Sequence, residues 1–279
     1  MTLRPMLSRI ELKNKGELSF FFVGSGSAFS KNNYQTNLLV IKGNDHLLVD
    51  CGTLCSYIMS KEYHTKISDV KNLVLTHPHA DHIGGVEEIA LVGKYVIKET
   101  VNLYIPPKFK KKLWKESLRG GIQFSEHGKM HIEDYFNFPN VKLIQKKPFE
   151  MFEFNVGSIN VKLFRTRHVT TSTTSLHNSQ LSYGMIFDNK VLFTGDTQFN
   201  EFQLRWLLDK YKDIEVIFQD CDVSGYSKGV HASYYQLCTM PIKIRAKMYL
   251  CHYSDDVNSI DAIVDGFGGL VHHGVYYDI

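Results

Sequence analysis

The sequence predicts an α/β fold in which strands and helices alternate through two comparable halves. Two observations carry that expectation. Short apolar runs rich in β-branched and aromatic residues, such as 18–23 and 214–218, recur between segments with helical spacing. The apolar run at 73–75 also passes straight into residues 76–85 (THPHADHIGG), where a helix should begin, so a polar cluster sits at a strand-to-helix junction.

Taken in order, residues 18–29 (LSFFFVGSGSAF) read as a buried strand ending in a Gly-Ser loop. Strands follow at 37–41 and 46–50, joined by a turn at 43–45. A polar connector at 63–69 leads to the strand before the His-Asp cluster, and a helix then runs through Val86, Ile89, Ala90 and Leu91. After a strand at 101–105, Pro106 and Pro107 start a helix that turns Phe109, Leu113, Trp114 and Leu118 inward. Its lysines, Lys108, Lys110, Lys111, Lys112 and Lys115, read as a solvated face in preference to an RNA-binding one. Residues 120–147 are of mixed polarity, and His127 and His131 stand there in a loop-like, surface context. Strands resume at Phe149, where Ile159, Val161 and Leu163 alternate with Asn160 and Lys162, and this strand is expected to run to His168. A polar loop containing His177 precedes another strand, and Asp188-Asn189 turns a hairpin into 191–193. A helix from Asn200 through Leu204, Leu207 and Leu208, a strand at 214–218 and a helix at 233–240 come next. A strand at 247–251 and a short helix around 260–264 complete the pattern.

Composition bounds the function. A chain of 279 residues, 43% apolar, can bury a sizeable core, and one domain over 1–279 is expected. The net charge of +3 demands no long nucleic acid as partner, whereas a small anionic substrate fits. The five cysteines, Cys51, Cys55, Cys221, Cys238 and Cys251, include no CxxC pair. They suggest neither a disulfide framework nor a thiolate zinc site and read as reduced. The first eighteen residues lack the apolar core of a signal peptide and no run reaches transmembrane length, so a cytoplasmic protein without a membrane partner is expected.

His77, His79, Asp81 and His82 crowd into six positions. His77 and His79 alternate around Pro78, so their side chains can leave the backbone on one side and converge on one cation. Asp81 and His82, in a first helical turn followed by Gly84-Gly85, point to a second, neighbouring cation. Imidazole and carboxylate are ligands of zinc and other first-row divalent ions. This HxHxDH pattern resembles the metallo-β-lactamase superfamily, and the resemblance extends over nearly the whole chain. It implies a four-layer αββα sandwich. It implies His168 (in RTRH) on the first metal, Asp196 (in FTGDT) between the two metals, and His252 (in YLCHYS) on the second. The implied cofactor is a pair of divalent ions, zinc first, although manganese and iron accept the same ligands. Asp50, in DCG, would lie beside the metals, where it either orients a ligand histidine or caps its strand.

His231, in GVHASYYQL ahead of His252, resembles the general-acid histidine of the RNase Z-like branch, which protonates a leaving alkoxide. Asp220 or Asp222, in QDCD, resembles the acidic residue that positions it, with Asp220 preferred at the strand's end. His231 could instead cap the helix that follows, and Asp220 could be a turn residue. The chain lacks the Gly- and basic-rich arm of tRNA 3′-end processing enzymes and the inserted domain of β-CASP nucleases. Its combination of GSGSAF, TNLLV, LLVDCG, THPHADHIGG, GDT, QDC, GVHAS and KMYLCHYSDD is similar to the anti-Pycsar phosphodiesterases, which destroy cyclic CMP and cyclic UMP. That resemblance implies a 3′,5′-cyclic nucleotide substrate, catalytic roles for His231, Asp81 and Asp220, and a homodimer whose partner chain helps close the pocket. An RNA 3′-end endonuclease and a non-catalytic nucleotide-sequestering module are the alternatives. Phe29, Tyr34 and Tyr183 are candidate base contacts that could equally be packing residues.

Overall fold

All six residues of the strand Ser19–Gly24 (SFFFVG) are buried, as a strand covered on both faces requires. In the computed structural model, which describes residues 1–126, 128–170, 179–225 and 229–279, this strand lies in the first of two eight-stranded sheets. The order in that sheet is Thr2–Pro5, Val275–Asp278, Ser19–Gly24, Asn37–Lys42, Asp45–Val49, Asn72–Val74, Val101–Tyr104 and Phe136–Asn137. The second sheet runs Lys142–Gln145, Met151–Val156, Ile159–Arg165, Tyr183–Phe187, Val191–Phe193, Val216–Asp220, Met248–Cys251 and Gly269–Leu270.

Aromatic rings join the sheets. Phe20 in the first meets Phe187 and Phe218 in the second, each at 5.3 Å between ring centroids, and Phe22 meets Phe218 at 5.0 Å. The helices Cys55–Lys61, Val86–Leu91 and Pro107–Leu113 add Ile58, Met59, Ile89, Phe109 and Leu113 to the same apolar cluster. A second cluster joins Ile217 and Leu250 of the second sheet to Leu204 and Leu207 of the helix Glu201–Lys210 and Leu237 of the helix Tyr234–Cys238. The result is the αββα sandwich that the resemblance implies, two mixed sheets face to face with helices outside.

Strand direction places the site. Asp45–Val49 and Asn72–Val74 are parallel neighbours, as are Val191–Phe193, Val216–Asp220 and Met248–Cys251. Their carboxyl ends deliver Asp50, His77, Asp196, Asp220 and His252, and open α/β sheets bind ligands at such ends.

Two expectations need correction. Residues 260–264 are not a helix. A single turn forms there, with the Asp265 N–H donating to the Asp261 carbonyl at 3.1 Å, but Gly266 at φ +80° ends it and the Phe267 N–H turns back to the Ala262 carbonyl at 2.8 Å, so Ala262 is buried while Ile263 and Val264 stay exposed. A 3₁₀ segment, Asp255–Ser259, lies just before it. The strand expected to reach His168 ends at Arg165, and His168 opens a separate ribbon, His168–Thr170 paired with Ser179–Gln180. Both termini also form strands that were not foreseen: Val275–Asp278 inserts between Thr2–Pro5 and Ser19–Gly24. Among the described residues no helix is long and apolar enough to cross a membrane.

Because Phe20 is fully buried between the sheets, Phe20→Ala leaves a cavity where the two layers meet. We expect it to lower unfolding free energy by about 3–5 kcal/mol in denaturant titrations. A loss near zero would mean that the sheets do not pack through this ring.

Candidate metal centre

The loop after Asn72–Val74 and the short helix Ala80–Ile83 carry four of the chemically active side chains. Across the sandwich, His168 begins the small ribbon, Asp196 follows Val191–Phe193, and His252 follows Met248–Cys251. Gly195 has φ +55°, and a Cβ there would come within 2.8 Å of the Tyr183 carbonyl, so a glycine lets the chain turn Asp196 into the centre.

The structure gathers the seven side chains expected as ligands into two buried sets that share Asp196. In one, His79 Nδ1 lies 2.9 Å from His77 Nε2 and 3.3 Å from His168 Nε2, while Asp196 Oδ2 is 3.6 and 3.9 Å from the same two Nε2 atoms. In the other, Asp81 Oδ2 is 3.1 Å from His82 Nε2 and 3.4 Å from His252 Nε2, and Asp196 Oδ2 is 3.4 Å from both.

Partners behind the rings fix which nitrogen faces inward. The Thr76 N–H and hydroxyl donate to the two oxygens of Asp50, each at 2.7 Å, so the Thr76 oxygen is left to accept from His77 Nδ1 at 3.0 Å. His82 Nδ1 donates to Asp50 Oδ2 at 2.7 Å, and His168 Nδ1 donates to the Val230 carbonyl at 3.1 Å. His77, His82 and His168 therefore present Nε2 to the centre, whereas His79 turns Nδ1 toward it. Asp50 takes the orienting role that the sequence left open. Thr76 and the Val230 carbonyl had no expected role: the first was visible as the start of the motif, but a backbone carbonyl leaves no sequence signal.

The charge distribution differs between the two sets. Burial pushes His77, His79 and His168 down, His168 to about 4, so these rings are neutral and their lone pairs are available. Burial also opposes charge on His252 and His82, yet Asp196 and neighbouring carboxylates push both up, His252 to about 10. Burial disfavours ionised Asp196, but His252, His82 and His77 hold its carboxyl well below the usual carboxylate range. Without a cation, protons on the second set balance buried carboxylates. His82 Nε2 is buried and makes no hydrogen bond although two carboxylate oxygens approach it, an arrangement suited to a cation in their midst. The residues thus fit divalent metal, and the donors do not fix which one.

Beside this centre, His231 Nδ1 lies 2.9 Å from Asp220 Oδ2, and the His231 ring stacks on His252 at 4.8 Å. Asp220 is held by the Thr197 N–H at 2.8 Å. Asp222, the alternative, accepts from Ser224 N and Oγ at 3.0 and 2.6 Å. Ser233, not His231, caps the helix Tyr234–Cys238, through a bond to Gln236 N. His231, Asp220, Asp196 and His252 also lie close enough to form a third potential metal set.

Among the other candidates, His131 starts a surface 3₁₀ turn with Asp134, away from the centre, whereas His127 and His177 lie outside the described residues. Tyr183 is buried in its sheet and is a packing residue. Tyr34 packs against His273, while Phe29 is exposed at a pocket that it shares with His231. The cysteines are unpaired, four of them buried.

Asp50→Asn should weaken the cation affinity of the His82 set, which it touches directly, about 10–100-fold, and that of the His77 set, which it reaches only through Thr76, by less. Competition with a chromophoric chelator reads both steps; two unchanged affinities would remove Asp50 from the metal centre.

The sequence model of the family described as "Anti-Pycsar protein Apyc1" matches residues 18–277. Relatives described by the same words include one from Paenibacillus xerothermodurans, 30% identical over 240 residues, covering 86% of this chain and 89% of the relative. Another, from Bacillus phage vB_BsuM-Goe3, is 32% identical over 247 residues, covering 84% and 88%. Among solved structures, the metallo-β-lactamase fold protein YhfI from Bacillus subtilis aligns with TM-score 0.66 at 14% identity over 94% of this chain and all of its own. The short form of human tRNase Z aligns with TM-score 0.61 at 14% identity, over 93% and 98%. These two likenesses show the metallo-β-lactamase fold. The family match and the relatives show more: this chain belongs to the Anti-Pycsar protein Apyc1 family.

Proposed function

We propose that this protein is a dinuclear metal phosphodiesterase that opens 3′,5′-cyclic mononucleotides, cyclic CMP and cyclic UMP foremost, to nucleoside 5′-monophosphates. The observation that carries the proposal is the His231–Asp220 pair, 2.9 Å between Nδ1 and Oδ2, set beside two buried ligand sets that share Asp196. The name that the relatives carry supports the same substrate class, because it denotes action against cyclic-pyrimidine signalling.

In this proposal His77, His79, His168 and Asp196 hold one cation, and Asp81, His82, His252 and Asp196 hold the other; zinc suits this histidine-rich set. Bound cations would supply positive charge for the phosphate oxygens and a water acidic enough to attack at neutral pH. The chain's own residues do the rest. Asp50 and the Val230 carbonyl hold His82 and His168 in the tautomers that present Nε2. Asp220 occupies Nδ1 of His231, which leaves Nε2 to give its proton to the departing ribose O3′. An alkoxide leaves poorly without that proton. A thiolate does not need it, and this difference favours phosphodiester over thioester chemistry at this site.

The test is chromatography of products from metal-loaded protein with cyclic AMP, GMP, CMP and UMP, and with a tRNA precursor. Linear 5′-monophosphates are expected. Intact cyclic nucleotides with metal bound would overturn the proposal, and cleaved tRNA precursor would replace it with RNA 3′-end processing. His231→Ala should lower kcat on cyclic nucleotides about 10²–10⁴-fold yet barely alter hydrolysis of a p-nitrophenyl phosphodiester, whose leaving group needs no acid. Equal losses on both would assign His231 a structural or metal-binding part.

A further inference from the structure

The loop after Ser19–Gly24 reverses the usual order of burial. Its serines are hidden, Ser25 at 0% and Ser30 at 3% exposure, while the phenylalanine between them, Phe29, is 86% exposed. Isolated apolar side chains on a surface are common and need no explanation. What sets Phe29 apart is how firmly its loop is held and what it adjoins.

Asp255 clamps the loop from the far end of the chain. Its carboxylate accepts from the Ser30 hydroxyl at 2.5 Å, the Lys31 N–H at 2.8 Å and the Asn33 side chain at 3.3 Å. Ser27 N–H donates to the Tyr253 carbonyl at 2.9 Å, and Ser30 N–H closes the loop on the Ser27 carbonyl at 3.1 Å. A Cβ at Gly26 would come within 2.4 Å of Ser30 Oγ, so the loop is packed as well as bonded. Both tethers, Tyr253 and Asp255, belong to the segment just after His252. The position of Phe29 is thereby tied to that of a residue in the metal centre.

Ser27, Ala28 and Phe29 line the same pocket, of about 340 Å³, as Val230, His231 and His252. That volume lies in the roughly 300–1,000 Å³ range of small-molecule sites. A phosphate engaged by the metal centre and a ribose oxygen at His231 leave the nucleobase as the part of the substrate without an assigned contact. An exposed aromatic ring on an immobilised loop can take it with little loss of freedom on binding.

We propose that Phe29 is the base-stacking residue of this site. The proposal rests on the cyclic-nucleotide reading above. Every base has a π-face, so stacking strengthens binding of all of them and distinguishes none. Phe29 therefore sets affinity, and base selectivity comes from other residues of the pocket.

The experiment is titration calorimetry with metal-loaded His231→Ala protein, which holds substrate without rapid turnover, with and without Phe29→Ala. Because Phe29 is exposed, its truncation removes no core packing. Cyclic UMP and cyclic AMP should both bind about 10-fold more weakly without the ring. Phe29→Tyr and Phe29→Trp should restore affinity, and base-free ribose 3′,5′-cyclic phosphate should bind equally to both proteins. Unchanged nucleotide affinity in Phe29→Ala would overturn the stacking role while leaving the substrate reading intact. An equal loss with the base-free ligand would also overturn it, since the ring would then act on the loop and not on the base. No binding of any cyclic nucleotide to protein with an intact Phe29, together with no turnover by wild type, would overturn both.

Discussion

One carboxylate oxygen organises this molecule. Asp196 Oδ2 lies between 3.4 and 3.9 Å from ring nitrogens of His77, His82, His168, His231 and His252. A buried carboxylate is costly unless positive charge surrounds it. Here the charge comes from protons on His82 and His252, or from cations in their place. The rest of the fold can be understood as the means of keeping five imidazoles around that oxygen in fixed orientations.

The means are mostly rigid. Parallel strands in each sheet end at one rim, and the rings of Phe20, Phe22 and Phe218 lock the sheets together beneath it, so residues far apart in sequence meet with little freedom to drift. A further layer of polar partners fixes four of the five rings: Asp50 and Thr76 behind His82 and His77, the Val230 carbonyl behind His168, Asp220 behind His231. Val230 adjoins His231 in sequence, so the segment that bears the proposed acid also orients a proposed ligand. Disturbing that segment should reach both roles.

What the sequence disclosed followed its range of interaction. His77, His79, Asp81 and His82 are neighbours in the chain, and their spacing alone suggested two cations. His168, Asp196 and His252 lie far downstream, where no local pattern pairs them with the first four; they became legible only through resemblance to a family, and the structure then gathered them. The strands Thr2–Pro5 and Val275–Asp278 escaped notice for the same reason, because their pairing links opposite ends of the chain. Residues 260–264 carry apolar spacing, but the one turn they form ends at Gly266, in the left-handed region, and buries Ala262 while Ile263 and Val264 face outward; that early stop depends on where the turn packs, which spacing does not show. Asp220 and Asp222 were hard to separate in the sequence, and the 2.9 Å bond to His231 belongs to Asp220. The exposure of Phe29 is a property of the folded loop, which composition does not reveal.

The most direct test of the account is the position of bound metal, read by anomalous diffraction from crystals grown with zinc. Two peaks are expected, one among His77, His79 and His168 and the other among Asp81, His82 and His252, with Asp196 touching both and His231 bonded only to Asp220. A peak bound by His231 and Asp220, where a third set of donors also converges, would contradict it. His231 would then be a ligand, and the proton for the leaving oxygen would have to come from elsewhere.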